Sequence, residues 1–292
     1  MSSKLDIYTT KRRGRVSNFL FTSACFVATI TCILALLVLI WNIILEGQNW
    51  LSWEFLQHYP SRYPHKAGIK AALWGSIWLI GLTALFSVPL GVGAAVYLEE
   101  YSARTRWRKL IQLNIANLAG VPSIVYGILG LALFVRTLSF ERSVLSGALT
   151  LTLVVLPIVI LASQEALRAV PDSIRRSAYA LGATRWQTVW YQVLPASLPG
   201  IMTGVILSLS RALGEAAPLI VVGAMAYVPF VPEKLSDEFT ALPILIFDWT
   251  QRPQEEFLHV AAAGILVLLI LLVSMNAVAV FVRHTYGKKI RW

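Results

Sequence analysis

The chain has 292 residues, of which 57% are hydrophobic and 14% charged, and its formal net charge is +10. With a mean hydropathy of +0.67, this composition excludes a soluble globular domain and points to an all-α membrane protein. The cations cluster beside apolar stretches, so the charge is a membrane-topology signal and no nucleic-acid partner is needed to explain it.

Six stretches reach the roughly 20 residues that a bilayer-crossing helix requires: 19–45, 69–98, 112–135, 144–164, 200–226 and 258–282. A basic tail, 1–18, precedes them with Lys4, Lys11, Arg12, Arg13 and Arg15, and it is a candidate for disorder. The first span is too long for the apolar part of a secretory signal. No small-residue cleavage site follows it before Glu46 and Trp50, so it stays in the mature protein. Its Cys25 and Cys32 stand about 10.5 Å apart on a straight helix, too far for a disulfide, and read as small packing residues. Trp50, Trp53, Tyr59 and Tyr63 then mark a membrane interface in the loop 46–68. Pro89, Gly91 and Gly93 read as a packing kink in the second span.

In the third span Gly120 and Pro122 interrupt the backbone ladder, and Ser123 and Tyr126 place hydroxyls beside the break. Such a break is either a simple kink or the lining of a cavity, which makes Ser123 and Tyr126 candidates for a substrate path. Clusters at Arg104–Lys109, at Arg168, Arg175, Arg176 and Arg185, and at Arg283, Lys288, Lys289 and Arg291 all fall on the side of the basic tail. The opposite loops carry only Arg62, Lys66, Arg136, Arg142, Lys234 and Arg252. The positive-inside rule therefore puts both termini in the cytoplasm, together with the loop 165–199.

Within that loop, Pro171 suits a first helical turn, and Ile174, Ala178 and Leu181 recur on one helical face. Gly182 reads as a C-terminal cap, and Thr184 with Gln187 as a capping box for a second helix. Trp186, Val189, Trp190 and Val193 form its apolar stripe, and Pro195 is expected to end it. A pair of helices tiling the membrane surface and a docking device for another protein both fit this pattern. The run RSAYALGATRWQTVWYQVLP (176–195) resembles the cytoplasmic coupling loop of ABC-importer permeases, whose pattern is EAA, three residues, Gly, nine residues, then I-x-L-P. Ala178, Gly182, Leu194 and Pro195 match, with Leu181, Ala183 and Thr184 between them. Arg176 and Ser177 depart, standing where the family has Glu and Ala. The resemblance implies a separate ATPase that docks on this loop.

The fifth span holds Arg211 and, four residues on, Glu215, the one carboxylate well inside a span. A charge at mid-membrane costs about 3 kcal/mol on insertion scales and must face protein or water. The pair is either a structural ion pair or an anion contact. In the second case the guanidinium fork grips an oxyanion, and Glu215 either holds Arg211 in the empty path or accepts a hydrogen bond from a protonated phosphate.

SRALGEAAPLI (210–220), NLAGVPSIVYGILGL (117–131) and TALPILIFDW (240–249) are similar to the A-type permease of the bacterial phosphate importer, the PstA family. The resemblance implies six transmembrane helices of the ABC-importer permease type in a bacterial inner membrane. It also implies a PstB-like ATPase dimer, a second, PstC-like permease, and a PstS-like external phosphate-binding protein. The chain has no G-x-x-x-x-G-K-[ST] phosphate loop, so ATP and Mg belong to the partner and this chain itself carries no cofactor. His58, His65, His259 and His284 show no metal-ligand spacing, and no catalytic constellation stands out. Permeases for sulfate or molybdate, and a stand-alone anion channel or secondary transporter, remain the alternatives.

Overall fold

The computed structural model of the protein describes residues 3–103 and 105–287, so the cations Arg104, Lys288, Lys289 and Arg291 fall outside the described residues. In chain order the helices are α1 (Ser3–Gly47), α2 (Trp53–Gln57), α3 (Lys70–Val96), α4 (Arg106–Ala119), α5 (Ser123–Gly130) and α6 (Val144–Arg168). They continue with α7 (Asp172–Ala180), α8 (Arg185–Thr188), α9 (Leu194–Leu213), α10 (Ala217–Val222), α11 (Leu242–Thr250) and α12 (Glu256–Gly287). The segment expected as a tail is helical from Ser3 and runs without a break into α1.

Among the described residues, five helices are long and apolar enough to cross a membrane; a sixth crossing exists if the bent pair α4–α5 counts as one. That pair turns through 100° at Gly120–Pro122, where Pro122 has no N–H to continue the ladder. The α6 helix is the centre of the bundle, packed by α3 on one side and α9 on another. Its contact with α9 is close because the facing residues are small. A Cβ on Gly200 would lie 2.8 Å from Cβ of Ala166, and one on Gly204 would collide with Ala162. Small residues four apart let membrane helices approach in this way. In contrast, α1 packs on α12 and is otherwise exposed.

Two expected boundaries are different. The stretch 200–226 is not one span, because α9 stops at Leu213 and the chain breaks over Gly214–Ala216 before α10. Pro195 does not end a helix. It occupies the first turn of α9, and a π-helical turn at Val189–Val193 joins α8 to α9 as one run. The wider turn accommodates the hydrogen bond that Pro195 cannot donate. The stretch between the fifth and sixth expected spans contains α11, whose Leu242 amide donates to the Ser76 hydroxyl of α3 at 2.9 Å.

Candidate functional site

Two candidate sites are built at helix ends. The first lies around the breaks that follow α4 and α9. Gly127 of α5 sits directly on α10: a Cβ there would meet Cα and O of Pro218 at 2.8 and 2.9 Å. Ser123 is one turn before Gly127, and Glu215 is three residues before Pro218. The packing of α5 on α10 thus places both breaks in one region. Ser123 is half-buried at the start of α5. Tyr126 is buried, and its hydroxyl donates to the Leu118 carbonyl at 2.8 Å. That bond satisfies a C-terminal carbonyl of α4 and stitches the two arms of the break together, so Tyr126 has a structural task that its sequence position did not reveal.

Arg211 and Glu215 do pair, with Nε donating to Oε1 at 3.2 Å. They do so at a helix terminus rather than in mid-helix. Arg211 is two residues from the end of α9, where a cation also complements the negative end of the helix dipole. The Arg211 side chain is 49% exposed and that of Glu215 17%. Among the described residues Glu215 is the only hydrogen-bond partner of the Arg211 guanidinium, so both Nη groups stay open.

The second site is the segment between α6 and α9. Gly182 has φ +82, and the Gly182 and Ala183 amides donate to the Tyr179 and Ala178 carbonyls at 3.0 and 3.1 Å. This is the left-handed helix stop that glycine favours. Thr184 and Gln187 form the expected reciprocal cap. The two predicted apolar stripes are split, however. Ala178, Val189 and Val193 are buried, while Leu181 is 89% exposed. Trp186 and Trp190 are exposed too, stacked on each other at 5.4 Å. Leu194 packs on the Val159–Ile201–Val205 cluster, and Pro195 is half-buried beside it. Arg176, Ser177 and Thr184 face outward, with Ala183 half-covered.

Sequence reasoning missed the carboxylates that hold this end of the molecule. The π-helical turn Tyr97–Tyr101 at the end of α3 carries Glu99 and Glu100. Glu99 accepts from Arg108 at 2.7 Å and from Arg168 at 2.6 Å, and Glu100 accepts from Arg175 at 2.7 Å. The only signal was two adjacent acids at the end of an apolar span facing three basic clusters.

The family described as binding-protein-dependent transport system inner membrane component matches residues 87–286. The phosphate transport system permease protein PstA 1 of Mycobacterium tuberculosis is 32% identical over 96% of this chain and 91% of its own. PstA of Yersinia pestis is 32% identical over 89% and 87%. The fold is shared with a crystal structure of a bacterial alginate ABC transporter bound to its periplasmic protein. That likeness has a TM-score of 0.66 at 16% identity, over 91% of this chain and 95% of that one. The chain belongs to the binding-protein-dependent transport system inner membrane components, and within them to the PstA permeases.

Proposed function

We propose that the chain is a non-catalytic permease subunit of an ATP-driven phosphate importer, with its basic end and both termini in the cytoplasm. Arg211 carries this reading. A PstA-family chain holds one guanidinium at the break between two apolar helices, with Nε on Glu215 and both Nη groups free. That free edge presents two parallel N–H donors, the geometry that fits two oxygens of a tetrahedral oxyanion. Glu215, beside the same edge, favours an anion that brings a proton, as hydrogen phosphate does and sulfate at neutral pH does not. Ser123 lies at the neighbouring break and extends the path. At the basic end, exposed Leu181, Trp186 and Trp190 are the apolar knob on which a separate ATPase would dock, in a segment that also exposes Arg176 and Arg185. ATP and Mg would be bound there by that partner. A second permease would complete the path, and an external binding protein would deliver phosphate.

The test is Arg211→Gln in the membrane-reconstituted complex, with labelled phosphate outside and ATP inside. Assembly should be retained and uptake should fall at least tenfold, with Arg211→Lys intermediate because it keeps the charge but not the fork. Uptake at the wild-type rate in Arg211→Gln would leave the pair a structural one.

A further inference from the structure

Arg175 is the most completely bonded cation among the described residues. Its Nε and Nη2 donate to Glu100 at 3.2 and 2.7 Å, and Nη2 also donates to the Leu167 carbonyl at 2.9 Å. Nη1 donates to the Val170 carbonyl at 2.7 Å and to Asp172 at 3.3 Å. All five N–H donors of a guanidinium are thereby occupied. The pair is also sheltered, with side-chain exposures of 16% for Arg175 and 7% for Glu100. One planar group on α7 thus holds a last-turn carbonyl of α6, the Val170 carbonyl just beyond that helix, and the π-helical turn that follows α3. The adjacent Glu99 makes the other connection, from the same turn to Arg108 on α4 and Arg168 on α6. Successive residues of a helical turn point in clearly different directions, which is how neighbouring acids reach two different sets of arginines.

We propose that the Glu100–Arg175 clasp is the joint through which movement of α7 is passed to α3, and that Arg175 and Glu100 are positioning residues for transport. This rests on the reading of 165–199 as the ATPase-docking segment. Beneath the exposed knob, α7 has little apolar contact with the bundle beyond Ile174 and Ala178, and it is a short helix whose other residues mostly face solvent. A force applied at Leu181 would rotate α7 freely if only those contacts held it. The bonds to Glu100, Leu167 and Val170 make α7, the end of α6 and the end of α3 one rigid corner. A displacement of the knob must then move the transmembrane helices. Glu165 and Asp172, both largely exposed, only steady the arginines Arg168 and Arg175 from outside.

The experiment uses the complex as it purifies from the membrane, reconstituted in liposomes, with Arg175→Lys and Glu100→Gln compared with wild type. Lysine keeps the charge but has three donors on one atom, and glutamine keeps the shape without the charge. Both variants should assemble and hydrolyse ATP at near the wild-type rate, while phosphate moved per ATP falls at least tenfold. The double variant should lose no more than either single one. Spin labels at positions 102 and 173 should also give a broader distance distribution in both variants than in wild type. Wild-type transport per ATP in both variants, or a failure of both to assemble, overturns the proposal: the clasp is then a bystander or only a folding element. Should Arg175→Lys alone fail to assemble, Glu100→Gln decides. A wild-type complex that moves no phosphate would sink the proposed function and not the clasp, which the distance distributions then judge.

Discussion

Arg175 and Arg211 differ in how many of their N–H donors the fold occupies, all five in one and Nε alone in the other. A guanidinium with every N–H bonded within the chain is a rivet, and removing one partner of a sheltered pair like this one typically costs about 3–5 kcal/mol. On the proposed function, one with a free edge beside a helix break is a binding group. Asp237 illustrates a third use of charge. Its carboxylate accepts from the Lys234 and Glu233 amides, both at 2.9 Å, and these bonds hold it below the usual carboxylate range. Its own carbonyl accepts from the Val144 amide at 3.0 Å, so the turn anchors the start of α6. Because the folded value is depressed, the stabilisation is present above the unfolded value near 3.9 and is lost as pH falls through the lower folded one. Asp237→Ala should therefore speed hydrogen exchange at the Val144 and Leu145 amides at pH 7. In wild type the same loss of protection, taken relative to the intrinsic exchange rate at each pH, should appear only on acidification through the lowered folded value. Unchanged exchange in Asp237→Ala would show that the turn holds without its carboxylate.

At the scale of elements, the α6–α9 contact depends on missing side chains. Gly204 faces Ala162 with no room for a methyl group, whereas Gly81 of α3 has open space around it. Overpacking a tight contact costs about 1–3 kcal/mol, while alanine in an open helical position gains about 0.5–1 kcal/mol over glycine. Gly204→Leu should lower the thermal midpoint of the detergent-solubilised protein by several degrees, and Gly81→Ala should leave it unchanged or raise it. Equal midpoints for the two would mean that the helices separate more easily than their packing implies. These elements were unequally legible. The caps at Gly182 and Thr184 and the break at Pro122 are local devices whose signals lie within a few residues, and the structure has them where the sequence placed them. The end of α9 was hidden because Gly214 and Pro218 sit inside a long apolar run, so hydropathy merged two helices into one span. The Glu99 and Glu100 connections join residues 69 and 75 positions apart, and no periodicity encodes which helix ends will meet. The split of the tryptophan stripe was illegible for a related reason: spacing shows that Trp186 and Val189 are both apolar but not which of them the chain covers itself.

For the whole molecule, the informative surface is the one its own fold leaves bare. Exposed apolar groups along α1, α4 and α5 suit lipid or a neighbouring permease, and neither needs polar surroundings. Leu181, Trp186 and Trp190 are different, because the segment that exposes them also exposes Arg176, Arg185 and Thr184. A bare leucine with a stacked tryptophan pair has the make-up of an interface anchor, large apolar groups with a polar rim. On the proposed function, the ATPase is the partner that such a knob would fit. Leu181→Asp puts a charge at the centre of the contact and nothing into the bundle, since Leu181 touches no core cluster. Purified in mild detergent, the wild-type chain should bring down an ATPase and a second permease. The Leu181→Asp chain should keep the permease and lose at least nine-tenths of the ATPase. Gly182→Ala has open space for its methyl group but carries a left-handed strain of about 1–2 kcal/mol, so it should weaken ATPase retention less. Full retention in Leu181→Asp would move the docking site away from this segment. Loss of both partners together would instead mean that the knob holds the permease pair as well.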